Sequence, residues 1–92
     1  MIRSFGDKSL ERFFATGDGR RLSVHNTRRI ANILRALDDA SRPEDMNLPG
    51  LRFHALVGHQ KGRYALNASG NCRITLGWIE GAAVDVNLED YH

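Results

Sequence analysis

Apolar residues in the first half of the chain recur at the spacing of a helix. Leu10, Phe13 and Phe14 stand at positions i, i+3 and i+4 and would share one helix face. Asp7 precedes them as a candidate N-cap, because its carboxylate can accept hydrogen bonds from backbone N–H groups of the first turn. Gly17 is placed to end the helix, since glycine readily adopts the left-handed conformation found there. The pattern predicts a first helix between Asp7 and Gly17.

A longer apolar stripe predicts a second helix. Its apolar positions are Ile30, Ile33, Leu34 and Leu37. Ser23 is the candidate N-cap, and Pro43 favours an end near Ala40, because a proline disfavours helical backbone just before it. Residues 44–50 are expected to form a loop, and residues 2–5 a short first strand.

In the second half of the chain the period changes to two. Apolar residues alternate with other residues in four segments, at positions 51–56, 63–68, 72–79 and 83–88. Such alternation is typical of strands, and short glycine-containing breaks between them predict antiparallel hairpins. The sequence therefore predicts one α+β domain over residues 1–92, with two N-terminal helices packed on one face of a mostly antiparallel, twisted sheet.

The composition indicates the cellular compartment in which this domain works. No stretch of about 18 apolar residues exists, so no membrane span is predicted, and the first residues lack the apolar run of a signal peptide. The single cysteine, Cys72, has no partner in the chain for a disulfide, which suits a reducing compartment. We expect a cytoplasmic protein without a membrane partner.

Charge is spread unevenly along the chain. Net charge is +2, but residues 1–35 hold eight bases and three acids, a net of +5, whereas residues 80–92 hold four acids and no base. Eleven of the thirteen bases are arginine, which suits bidentate contacts to phosphate better than lysine does. Two interpretations stay open: a solvated basic helix face, or a surface for RNA or an acidic partner.

Groups that exchange protons are concentrated at the last positions of the chain. They are two acids, a phenol and an imidazole: Glu89, Asp90, Tyr91 and His92. His54 and Arg73 lie in two other predicted strands, and their parity places them opposite Phe53 and Ile74, on the side of the sheet away from the helices. If these strands share a sheet, the combined groups suit cleavage of a phosphodiester.

Each of these residues also has a structural interpretation. His54 could be an ordinary half-buried histidine, and residues 90–92 could be a solvated tail. Arg73 could form a cross-strand ion pair with Asp85 or Glu89. Metal-ligand spacing, a nucleophile elbow, a P-loop and a dinucleotide-binding motif are all missing from the sequence, so we predict no metal and no other cofactor.

Considered from end to end, the chain resembles the HigB-type killer proteins of the RelE/ParE toxin superfamily, from bacterial type II toxin–antitoxin systems. The resemblance is most specific in the terminal Glu-Asp-Tyr-His and in the Asn-x-Arg-Ile-Thr segment at residues 71–75. Further matching segments are residues 1–5, the Phe13-Phe14 pair, Gly17, residues 48–51, residues 54–56, Gly58, Gly62 and Asp85-Val86.

This resemblance implies a RelE/ParE-like fold and ribosome-dependent endonucleolytic cleavage of mRNA without a metal. The matching positions imply five catalytic residues: His54, Arg73, Asp90, Tyr91 and His92. We expect His92 or Asp90 to act as the base, His54 or Tyr91 as the acid, and Arg73 to stabilise the transition state, although the acid and base roles could be exchanged.

The resemblance also implies partners: a HigA-type helix-turn-helix antitoxin, the ribosome with its mRNA, and operator DNA reached through the antitoxin. The candidate contacts to RNA or the ribosome are Arg20, Arg21, Arg28, Arg29, Lys61 and Arg63. Many relatives have a lysine where this chain has Val57. One alternative is therefore a catalytically weakened toxin that acts mainly through antitoxin and operator binding. The other alternative is a ParE-like inhibitor of DNA gyrase, because that class shares the fold.

Overall fold

Two helices precede a four-stranded sheet in this computed structural model, which describes residues 1–24 and 26–90. The helices are α1 (Lys8–Thr16) and α2 (Thr27–Asp39). The strands are β1 (His54–Ala55), β2 (Arg63–Ser69), β3 (Cys72–Ile79) and β4 (Ala82–Asp90). The predicted α+β class is confirmed, and so is the order of the two helices and the four strands after them.

Both ends of α1 are formed by the predicted residues. The Asp7 carboxylate accepts hydrogen bonds from the backbone N–H groups of Ser9 and Leu10, at 2.9 and 3.2 Å. Gly17 takes a φ of 81° and its N–H donates to the carbonyl of Phe13, so it closes the helix in the left-handed conformation.

The N-cap of α2 is Asn26, and the prediction of Ser23 was wrong. The Asn26 side chain accepts a hydrogen bond from the backbone N–H of Arg29 at 3.1 Å, which is the bond that an N-cap makes to the third residue of a helix. At the other end the helix stops at Asp39 and Ala40 is extended, with a ψ of 140°, which confirms the predicted end near Ala40.

The strands lie in the order β1-β2-β3-β4, and each neighbouring pair is antiparallel. The first residues of the chain contribute two isolated parallel bridges to β4 instead of a full strand, Ile2 with Ala83 and Phe5 with Val86. The sheet is therefore mostly antiparallel, as predicted.

The predicted strand at residues 51–56 is reduced to two residues. Arg52 has a φ of 51°, and this left-handed backbone interrupts the extended conformation before His54. Within the expected loop at residues 44–50, the chain forms a short 3₁₀ helix at Pro43–Met46.

The core lies between the helices and one face of the sheet. Fully buried apolar side chains come from both layers: Leu10, Ile30, Leu34, Leu37, Leu66, Ile74, Leu76 and Val86. The opposite face, which we call the open face, carries the alternate residues of the strands. Within the described residues, no helix is long and apolar enough to cross a bilayer.

Candidate active site

The open face brings His54 and Arg73 to one concavity. Across the strands, His54 pairs with Ala65, and Asn67 pairs with Arg73, which puts these side chains in two adjacent rows. The concavity has a volume of about 310 Å³ and is lined by Arg52, His54, Leu66, Asn67 and Arg73. We call it the open-face concavity. The predicted placement of His54 and Arg73 on the side away from the helices is confirmed by the register.

His54 is exposed, and its ring is held by one backbone contact. Its Nδ1 atom lies 2.8 Å from the carbonyl oxygen of Arg52. Because a carbonyl oxygen only accepts hydrogen bonds, this contact requires the proton on Nδ1. In the neutral ring Nε2 is then the basic nitrogen, and it is the atom available for proton exchange.

Arg73 is half-buried and makes the ion pair that the sequence left open. Its Nε and Nη2 atoms donate to Glu89 Oε1 at 3.3 and 3.2 Å. The second oxygen of Glu89 accepts a hydrogen bond from the fully buried Thr75 hydroxyl at 2.8 Å. The other candidate partner, Asp85, pairs instead with Arg63 at 3.1 Å. An ion pair does not exclude a catalytic role, since the same guanidinium lines the open-face concavity.

Asp90 occupies a different place from the predicted cluster. It pairs with Cys72 across β3 and lines a second concavity of about 270 Å³, together with Ser23, Asn26 and others. Burial raises the pKa of the Cys72 thiol, and the negative charge of Asp90 raises it further. Side chains alternate along β4, so it is Glu89 that shares the row of Arg73.

Tyr91 and His92, the other two predicted catalytic residues, lie outside the described residues. Their roles stay predictions from the family resemblance. The described part of the candidate site consists of the open-face concavity and the polar side chains next to it.

The six predicted RNA-binding residues fall into two groups. Three are tied to other parts of the protein. Arg20 pairs with Asp18 at 2.9 Å, and Arg63 pairs with Asp85. Arg29 donates from Nε to the carbonyl of Ala68, and from Nη2 to the carbonyl of Gly50 at 3.2 Å.

The other three, Arg21, Arg28 and Lys61, are exposed. Val57 is also exposed, by 85% of its surface, and it lies three residues from His54. A cation at that position would project into solvent.

Sequence reasoning named Glu89 among the terminal proton-exchanging groups and as a possible ion-pair partner of Arg73, but it gave Glu89 no role in cleavage. It missed Thr75 and Asn67 at this site altogether. A signal for Glu89 existed, because it alternates with the core-facing pair Val86 and Leu88 of the same strand. The buried hydroxyl of Thr75 had no such signal, because a threonine in a strand is common.

Comparisons with known proteins agree with this fold. The family of HigB-like toxins, described as "RelE-like toxin of type II toxin-antitoxin system HigB", matches residues 3–92. The chain is also 34% identical to endoribonuclease HigB from Proteus vulgaris over 92 residues, covering 100% of both chains.

Proposed function

Because this chain belongs to the HigB-like family of RelE-like toxins from type II toxin–antitoxin systems, we propose that it is an endoribonuclease that cuts mRNA on the ribosome. The relative that it matches over its full length is named an endoribonuclease. The observation that carries the proposal in this chain is the open-face concavity, which is lined by both an imidazole and a guanidinium.

The reaction we propose is an internal transfer within the RNA. The 2′-oxygen attacks the adjacent phosphorus and loses its proton to a base, while the bond from phosphorus to the 5′-oxygen breaks and an acid protonates that oxygen. The products are a 2′,3′-cyclic phosphate and a 5′-hydroxyl. A general acid or base typically accelerates such a reaction by about 10²–10⁴-fold.

His54 and Arg73 have distinct roles in this scheme. His54 exchanges a proton through Nε2, with its ring orientation fixed by the Arg52 carbonyl. Arg73 stabilises the negative charge that builds on the phosphate oxygens. Asp90 lines a different concavity from His54, which favours His92 over Asp90 as the base. Tyr91 remains the alternative acid.

The open-face concavity is small, with a volume of about 310 Å³, and this supports a role for the ribosome in holding the substrate. We propose that the exposed bases Arg21, Arg28 and Lys61 contact ribosomal RNA or mRNA. Such contacts release counterions from RNA, so binding should weaken steeply as salt concentration rises.

An antitoxin partner follows from the type II family. We propose that it is a HigA-type helix-turn-helix protein that also links the toxin to operator DNA, and that both proteins work in the cytoplasm. Co-expression of the chain with the neighbouring reading frame, followed by co-purification, tests this partner.

The central experiment is 5′-end mapping of a defined mRNA in a purified translation system. The wild-type chain is compared with the His54→Ala and His92→Ala variants, with and without ribosomes. Cuts within the ribosomal A site that are lost in both variants would support the proposal. If the wild type makes no cuts, the proposal fails, and supercoiling by DNA gyrase becomes the next activity to assay.

A further inference from the structure

A continuous polar network crosses the open face from Asp85 to Arg73. Arg63 donates to Asp85 Oδ2 at 3.1 Å through Nη1, and to the Thr75 hydroxyl at 3.2 Å through Nη2. Thr75 donates to Glu89, and Glu89 accepts from Arg73. The network thus joins three strands and includes the guanidinium in the open-face concavity.

The Thr75 hydroxyl gives this network a direction. A hydroxyl has one hydrogen to donate, and an arginine can only donate. Because Thr75 receives a hydrogen bond from Arg63, its own hydrogen is directed to Glu89 Oε2. Thr75 is 0% exposed, so solvent does not compete for that hydrogen. The carboxylate of Glu89 is therefore held in place from behind, with its other oxygen presented to Arg73.

We propose that Glu89 is a positioning residue for cleavage, which acts by holding the Arg73 guanidinium in the orientation that the scissile phosphate requires. This inference rests on the proposed nuclease function. The long side chain of arginine loses considerable rotamer freedom when it is fixed. Because Glu89 already fixes the Arg73 side chain in the folded protein, this rotamer freedom is lost before RNA binds. The guanidinium is therefore preorganised for the transition state.

Substitution of Glu89 by glutamine separates positioning from simple electrostatics. Removing a negative charge beside an RNA site should by itself strengthen binding of the polyanion. If Glu89 positions Arg73, the same substitution should instead slow cleavage. If a glutamine turned its amide –NH₂ toward Thr75, the hydroxyl would face a donor where it needs an acceptor, and if it turned the –NH₂ toward Arg73, two donors would meet.

The expected result for Glu89→Gln is a fall in kcat of about 10–100-fold, the scale on which a misplaced catalytic group affects rate. KM for the mRNA–ribosome complex should stay the same or fall. Glu80→Gln is the matched control, because it removes the same charge from the exposed turn of the same hairpin. Its kcat and KM should match the wild type.

A double-mutant cycle tests whether Glu89 acts through Arg73. In an Arg73→Ala background, Glu89→Gln should cause no further loss of kcat. An equal loss in both backgrounds would overturn the inference, because it would show that Glu89 acts independently of the guanidinium. Wild-type kcat for Glu89→Gln would also overturn it. If the wild-type chain itself does not cut mRNA, it is the proposed function that has failed.

Thr75 provides a second test that does not alter charge. Thr75→Val keeps the volume but removes the hydroxyl, so kcat should fall as in Glu89→Gln, whereas Thr75→Ser keeps the hydroxyl and should restore most of it. Thermal unfolding of each variant shows whether the fold is retained. A Thr75→Val protein that is folded and has wild-type kcat would contradict the relay through Thr75.

Discussion

His54 Nδ1 lies 2.8 Å from the carbonyl oxygen of Arg52, two residues earlier in the chain. Arg52 itself has a φ of 51°, an uncommon conformation for a residue other than glycine. The unusual backbone therefore interrupts the strand and, at the same point, supplies the acceptor that fixes the imidazole of an exposed histidine. At this position the backbone conformation of Arg52 orients a candidate catalytic side chain, His54.

This relationship predicts the behaviour of His54→Gln. Glutamine is polar and of similar reach, but it does not exchange protons near neutrality, so cleavage should slow by about 10²–10⁴-fold. Because His54 is exposed, the midpoint of thermal unfolding should stay close to that of the wild type. His59→Gln, at another exposed histidine, is the control and should cleave at the wild-type rate. Equal rates for both variants would remove His54 from the mechanism.

Alternation along the strands was enough to predict part of this site. Leu66 and Ile74 face the helices. The residues that alternate with them along the strands, including Arg73, lie on the other face. Helix caps and hairpin breaks were similarly local, which is why Asp7 and Gly17 were predicted correctly.

The pattern of residue types did not determine the remainder. The choice of Asn26 over Ser23 as N-cap follows from which side chain reaches the first turn, and both residue types suit the position. The position of Glu89 directly opposite Arg73 follows from the register between β3 and β4, which shifts at a bulge between Thr75 and Gly77. Spacing along the chain does not specify such a shift.

Arg29 is predicted to stabilise the fold more than it binds RNA. Its guanidinium donates to the carbonyls of Ala68 and Gly50, and so connects α2 to β2 and to the loop before β1. Since hydrogen bonds from charged groups contribute about 1.5–3 kcal/mol, Arg29→Ala should lower the free energy of unfolding by that order. Arg28→Ala, at the exposed neighbour, should change it by less than about 0.5 kcal/mol.

Urea denaturation of the two arginine variants measures this difference directly. Their effects on ribosome binding should be reversed, with Arg28→Ala weakening binding more than Arg29→Ala when both proteins are folded. A similar free energy of unfolding for the two variants would contradict the structural role of Arg29.

Val57→Lys is predicted to increase cleavage. Val57 is 85% exposed, so a lysine there should cost little stability and would place a cation three residues from His54. The added charge should strengthen binding to RNA, with a larger gain at low salt than at high salt. Val57→Gln is the control for side-chain length and should leave the rate unchanged. The comparison is made by measuring cleavage rates at two or more salt concentrations, and equal rates for Val57→Lys and Val57→Gln would contradict the prediction.

The pKa of the Asp18 carboxylate is predicted to depend on Arg20. Its pKa is held well below the ordinary range, first by the side-chain hydrogen bond from Arg20, then by the Arg20 backbone N–H and by Arg12. Because the folded-state pKa is depressed, the stability from these contacts is present above the unfolded-state pKa of about 3.9 and is lost as pH falls through the folded-state value. Arg20→Ala should therefore raise the pKa of Asp18, whereas Arg21→Ala should not.

An NMR titration of the Asp18 carboxyl carbon in the wild type and both variants measures this pKa directly. The same pair of variants separates two roles on the basic surface. Arg20 and Arg21 are both exposed, but Arg20 pairs with Asp18 at 2.9 Å. Arg21→Ala should therefore reduce the salt dependence of ribosome binding by about one phosphate contact, and Arg20→Ala should reduce it by less. The opposite order would show that the Asp18 ion pair opens when RNA binds, and that Arg20 exchanges a carboxylate for a phosphate.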